Sequence, residues 1–164
     1  MNRRKFLITA ALPLAAAAEP KRIAAIITEY RSGSHADVVI GKYLEGYRQD
    51  EKAPYPRSKI VSMFTEQVPK GDMSRERAKK FGVPVFRTVA EALTLGGDKL
   101  AVDGVILIGE HGAYPVNDKE QTLYPRFEMF LKITDVFRQS GRAVPVFTIW
   151  SDVIAAPSHP APIS

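Results

Sequence analysis

Two of the three histidines, His35 and His111, stand near carboxylates in the sequence: Glu29 and Asp37 around the first, Glu110 next to the second. Imidazole changes charge close to neutral pH, so His111 with Glu110 forms a candidate catalytic pair for acid–base chemistry on a bound sugar. His35, His111 and Glu29 or Glu110 are also suitable ligands for a divalent zinc or iron ion, which would make a metal-dependent hydrolase or isomerase. Their spacing matches no metal motif. Ser32-Gly33-Ser34 precedes a periodic apolar stretch. As a helix start it would offer backbone N–H groups to a phosphate or carboxylate, with the Arg31 charge alongside. Glu29, Tyr30, Arg31, Gly33, Ser34, His35 and Tyr114 are therefore the candidate ligand-binding residues. Plainer roles stay open: a cap or solvent contact for His35, a backbone-bonded turn for His111, core packing for Trp150.

Positions so far apart meet only if the fold gathers them. Ile23–Thr28, Lys59–Thr65, Val83–Phe86, Val105–Ile108 and Val144–Trp150 read as strands, the first and fourth as continuous apolar runs typical of a buried parallel sheet. Between them, helices are expected over 35–47 with Ser34 as N-cap, 75–81 capped by Asp72 or Ser74, 89–95 capped by Thr88, and 124–140 ended by Gly141. On the first, Val38, Val39, Tyr43, Leu44 and Tyr47 recur at helical spacing; on the last, Phe127, Phe130, Leu131, Ile133, Thr134 and Phe137 spread over a broad apolar face. Strands alternating with helices imply right-handed crossovers and a three-layer α/β sandwich around a mostly parallel sheet of five strands. Ligands of such sheets bind outside the carboxyl ends of the strands. That rim would receive Glu29–Asp37 from the first strand, Glu66 from the second, Glu110–Tyr114 from the fourth, and Trp150, Ser151 and Asp152 from the fifth.

Composition narrows the function classes. The chain has 164 residues, 45% hydrophobic and 25% charged, enough for one globular domain and too apolar for intrinsic disorder. It has no Cys, which excludes disulfides, thiolate nucleophiles and cysteine-ligated zinc. The formal charge of +5 is misleading, because Arg3, Arg4 and Lys5 lie in residues 1–18 with no acid among them, leaving 20 basic against 18 acidic side chains. So small an excess gives no electrostatic case for nucleic acid. Those first residues, a basic pair, a short apolar run and Ala15–Ala18, read as a cleaved twin-arginine-type signal for export to the periplasm or beyond, far short of a membrane span. The expected organisation is a signal at 1–18, the α/β domain at 19–152, and a Pro/Ala-rich tail at 153–164 whose composition predicts disorder.

Three segments carry a family resemblance: Ala78-Lys79-Lys80-Phe81-Gly82-Val83-Pro84-Val85-Phe86, Val89-Ala90-Glu91-Ala92-Leu93 and Val102-Asp103-Gly104-Val105-Ile106-Leu107-Ile108. Together they resemble the N-terminal Rossmann-like domain of the glucose–fructose oxidoreductase and inositol dehydrogenase family. The resemblance implies a Rossmann-like fold, NAD(P) as cofactor and a sugar-type substrate. It departs at the turn after the first strand, where Thr28-Glu29-Tyr30-Arg31-Ser32-Gly33-Ser34 holds one glycine in place of a Gly-rich phosphate turn. Glu29 there would repel a dinucleotide pyrophosphate. The family's Glu-Lys-Pro segment is also missing, and its second domain has no sequence to form from; Trp150-Ser151-Asp152-Val153 follows the fifth strand. The expectation is an exported Rossmann-like domain that binds a small anionic or polyhydroxylated ligand, with no membrane partner beyond the signal and with homo-oligomers open. The rival readings are an NAD(P)-dependent oxidoreductase completed by a missing domain or partner, the metal enzyme above, and a truncated product without activity.

Overall fold

A computed structural model describes residues 19–149. The signal at 1–18, the tail at 153–164, and Trp150, Ser151 and Asp152 lie outside the described residues. Five strands, β1 (Lys21–Ile27), β2 (Ser58–Thr65), β3 (Val85–Phe86), β4 (Gly104–Ile108) and β5 (Val146–Thr148), form one sheet in the order β3-β2-β1-β4-β5. Every pairing is parallel. Each crossover therefore needs a helix or long loop to return the chain, and α1 (His35–Glu45), α2 (Ser74–Lys80), α3 (Val89–Thr94) and α4 (Arg126–Ser140) supply them.

Side chains of a strand alternate between faces, and β1 shows why the molecule has three layers. Ala24 and Ile26 join Val105, Leu107, Leu93, Met129 and Ile133 in the core beneath α3 and α4. Ala25 and Ile27 join Ile106, Ile108, Ile40, Leu44 and Ala78 beneath α1 and α2. The result is a Rossmann-like α/β sandwich. Its strand order reverses between β1 and β4, which makes the gap past their carboxyl ends the topological switch point.

Local signals set most boundaries. Ser34 caps α1 through its side chain, which accepts from the Asp37 N–H, and Thr88 caps α3 by accepting from Glu91. α4 closes on Gly141 in the left-handed conformation that glycine adopts without strain. Three expectations need correction. Met73, not Asp72 or Ser74, precedes α2; Ser74 is its first helical residue, and Asp72 accepts hydrogen bonds from the Ser74 N–H and hydroxyl. α1 turns Ala36, Ile40, Gly41 and Leu44 into the core with Val39 and Tyr43 packed against it, as expected for Val39, Tyr43 and Leu44, while Val38 and Tyr47 are exposed. α4 begins at Arg126 behind Pro125 and buries Met129, Ile133 and Val136, leaving Phe127, Phe130 and Leu131 outside. Among the described residues no helix is long and apolar enough to cross a membrane.

Candidate functional site

The chain leaving β1 is held tightly before it reaches α1. Thr28 donates its N–H to the Ile108 carbonyl, and its hydroxyl accepts from the His111 N–H at 3.3 Å, fixing the ends of β1 and β4 side by side. Tyr30 donates its N–H to Asp72 Oδ2 at 2.7 Å, and its carbonyl accepts from Met73. This pins the loop toward α2 and sends the Tyr30 ring into the core, fully buried, with its phenol pKa raised by burial and then by the Asp37 charge. Tyr30 is thus a core residue and not a rim contact, because its backbone is committed to the 72–73 turn.

Residues 31–34 then make a tight turn, the Arg31 carbonyl accepting from both the N–H and the hydroxyl of Ser34. Gly33 sits at φ +70°, a conformation that side chains disfavour. Its N–H is not open to a ligand: it donates to Asp37 Oδ2 at 2.9 Å. The N–H groups of Gly33 and Ser34, expected from the sequence to await an anion, are both engaged within the chain. Asp37 supplies the negative charge that a helix N-terminus favours.

This turn brings His35 against the end of β4. His35 Nδ1 contacts Glu110 Oε2, a pair whose carboxylate side is buried while the imidazole is half exposed. Glu110 is backed by Arg126, whose Nη2 lies 3.8 Å from Oε1. Arg126 also donates to the Gly109 carbonyl at 2.8 Å, crossing so close that a β-carbon on Gly109 would meet its Cγ at 2.9 Å. The acid–base pairing of the structure is therefore His35–Glu110 rather than His111–Glu110, since successive residues past a strand end point to different sides. With Nδ1–H given to the carboxylate, His35 Nε2 carries the lone pair of the neutral ring.

His111 has the opposite polarity. Arg31 Nη2 lies 2.8 Å from its Nδ1. Guanidinium can only donate, so Nδ1 accepts and the ring proton resides on Nε2. Burial and the Arg31 charge both push the His111 pKa below the usual histidine value, against the opposing pull of Glu110 and Glu29. Arg31 also reaches Glu29 Oε1 at 3.5 Å, so the buried Glu29 carboxylate stands behind the rim with a cation beside it.

A cavity of about 300 Å³ opens between these groups, lined by Gly33, Ser34, His35, Glu110, His111 and Tyr124. Tyr124 forms its aromatic wall, braced by Arg126 at 5.2 Å from the ring centroid and by the edge of Tyr114, centroids 5.7 Å apart. Tyr114 does not line the cavity; its hydroxyl donates to Glu66 at 2.5 Å, and burial and that bond raise its pKa. Gln67 holds the same loop, accepting from the Ala113 N–H and donating to its carbonyl.

No family model and no curated protein matches the chain. Among solved structures it is similar to the biliverdin reductase of Synechocystis sp. PCC 6803, a structure in complex with biliverdin and NADP+. The two are 17% identical with a TM-score of 0.36, over 77% of this chain and 37% of that one. This chain thus spans well under half the length of that protein.

Among the described residues no three His, Asp or Glu side chains gather in a set that could hold a metal ion. The expected set of His35, His111 and Glu29 is divided by Arg31, whose guanidinium lies against both His111 and Glu29. Tyr124, Arg126 and Gln67 escaped the sequence reading. Tyr124 and Arg126 reach the rim because the loop after β4 doubles back through a bridge between Val116 and Thr122, a contact with no local signature, and Gln67, just past β2, meets that loop at Ala113.

Proposed function

We propose that this domain binds a small, neutral, polyhydroxylated ligand in the cavity at the switch point, with His35 as acceptor for one of its hydroxyl protons. The observation that carries this reading is the His35–Glu110 pair at the cavity lining. A buried carboxylate at Nδ1 fixes the imidazole tautomer and leaves Nε2 to accept a hydrogen bond from a ligand hydroxyl. His111, with its proton on Nε2, is the complementary donor, and Tyr124 offers a flat apolar face to ring carbons. Together these groups offer a sugar or cyclitol one acceptor, one donor and a stacking wall.

Charge favours a neutral ligand over an anionic one. Glu29, Asp37, Glu66 and Glu110 surround the rim, and Arg31 and Arg126 are engaged with Glu29, His111, Glu110 and Gly109. A pyrophosphate at the α1 N-terminus would have to displace Asp37 from Gly33. The leader at 1–18 supports reading the domain as an exported one.

Calorimetric titration of the protein with glucose, myo-inositol, glucose 6-phosphate and NADP+ tests the proposal. Binding of a neutral polyol that His35→Ala abolishes is the expected result. Binding of NADP+ or the sugar phosphate alone, or of none of the four, overturns it.

A further inference from the structure

The helix that braces the site also carries an apolar ridge that the fold leaves uncovered. Along α4, Phe127, Phe130, Leu131 and Thr134 follow the i, i+3, i+4, i+7 spacing of a single helix face, beside but distinct from the buried Met129, Ile133 and Val136. Phe127, Phe130 and Leu131 remain 46%, 41% and 42% exposed, although a soluble helix ordinarily turns charged residues outward there. Val116 and Leu123, 58% and 54% exposed, lie in the loop that enters α4. They are brought together by the Val116–Thr122 bridge and by the Leu123 N–H donating to Pro115.

We propose that this ridge is the interface of a homodimer in which α4 packs antiparallel against α4 of a second copy, across a two-fold axis near Phe130 and Leu131. The area fits that occupant. Five side chains half exposed amount to roughly 400 Å² of apolar surface per copy. Two copies then contribute on the order of 800 Å², close to the apolar share of a standard interface of about 1,600 Å². A two-fold interface must be complementary to itself, and a ridge of equivalent apolar residues is. Asp135 is already neutralised by Arg138 of its own helix at 2.9 Å, so it brings no unpaired charge to the seam. The ridge points away from the buried α4 residues, so the dimer stands independently of any ligand bound at the cavity.

The absence of cysteine from the chain makes a clean test. Sedimentation of the full chain should show a dimer, and Phe130→Asp should raise its dissociation constant at least about tenfold with an unchanged circular dichroism spectrum. Leu131→Cys, next to the axis, should form an intermolecular disulfide under mild oxidation, whereas the exposed Lys99→Cys should not. If Phe130→Asp perturbs the fold, Phe127→Ser together with the Leu131→Cys cross-link decides. A wild-type monomer at about 100 μM, where a standard interface is populated, overturns the proposal. So does a dimer indifferent to these changes.

Discussion

His35 and Glu110 stand 75 positions apart in the chain and meet, Nδ1 against Oε2, where the first turn of α1 faces the end of β4. The carboxylate is buried and the imidazole half exposed, so the pair has an anchored end and a working end. Glu110→Ala would remove the carboxylate beside the partly buried Arg126, which keeps its bond to the Gly109 carbonyl, and should cost about 2 kcal/mol of stability. Glu110→Gln keeps the shape and a hydrogen-bond acceptor, and should cost about 1 kcal/mol. Denaturant unfolding separates the two. Nitrogen-15 spectra of the His35 ring should show the Nδ1–H tautomer in the wild type and a mixture in Glu110→Ala; the same mixture in both proteins would dissolve the pair.

Tyr30 makes the opposite point. Its hydroxyl is buried and has no hydrogen-bond partner among the described residues. Tyr30→Phe removes a desolvated polar atom without opening a cavity larger than one oxygen. The variant should be as stable as the wild type or up to about 1 kcal/mol more so. It should bind any cavity ligand equally well. A large loss of affinity in Tyr30→Phe would return the residue to the rim, where its place in the sequence first put it.

The fold was legible because its signals are local and redundant. Ile23–Ile27 and Val105–Ile108 could be read as buried strands from composition alone, and Ser34, Thr88 and Gly141 marked helix ends by their own chemistry. From the parallel sheet it followed that Glu29–His35 and Glu110–Tyr114 share a rim. Side-chain direction was not legible. Tyr30 looked like a rim residue until the Asp72 contact, 42 positions away, fixed its backbone. Glu110 and His111 looked like partners because they adjoin, yet each pairs with a residue of the α1 turn. Such contacts depend on where loops return, and amino-acid type does not encode that.

Gly112 holds the loop that carries the aromatic wall. Its φ is +130°, and a β-carbon there would sit 2.6 Å from Tyr114 Cε2 and 3.0 Å from Gln67 Oε1. Neither the backbone angle nor the space tolerates a side chain, so Gly112→Ala must shift Tyr114 and loosen its bond to Glu66. A loss of about 2 kcal/mol is expected, together with weaker binding in the cavity through Tyr124. Thermal unfolding and the polyol titration read the two effects separately. An unaltered melting temperature would show that the loop relaxes freely.

His111 should make stability depend on pH. Burial and the Arg31 charge hold its pKa below the usual value, so the folded protein binds this proton more weakly than the unfolded chain does. Above the unfolded value of about 6.5 neither state is protonated, and the contribution of His111 to stability is fully present. As the pH falls below that value the unfolded chain takes up a proton first, and the contribution is lost as the pH drops through the folded-state pKa. Protonation also ends the capacity of Nδ1 to accept from Arg31, and it sets two cations against each other at the cavity edge. Between about pH 7 and pH 5, the wild type should lose more stability than His111→Gln, and polyol affinity should fall over the same interval. Parallel melting curves for the two proteins across that range would mean that His111 does not carry the effect.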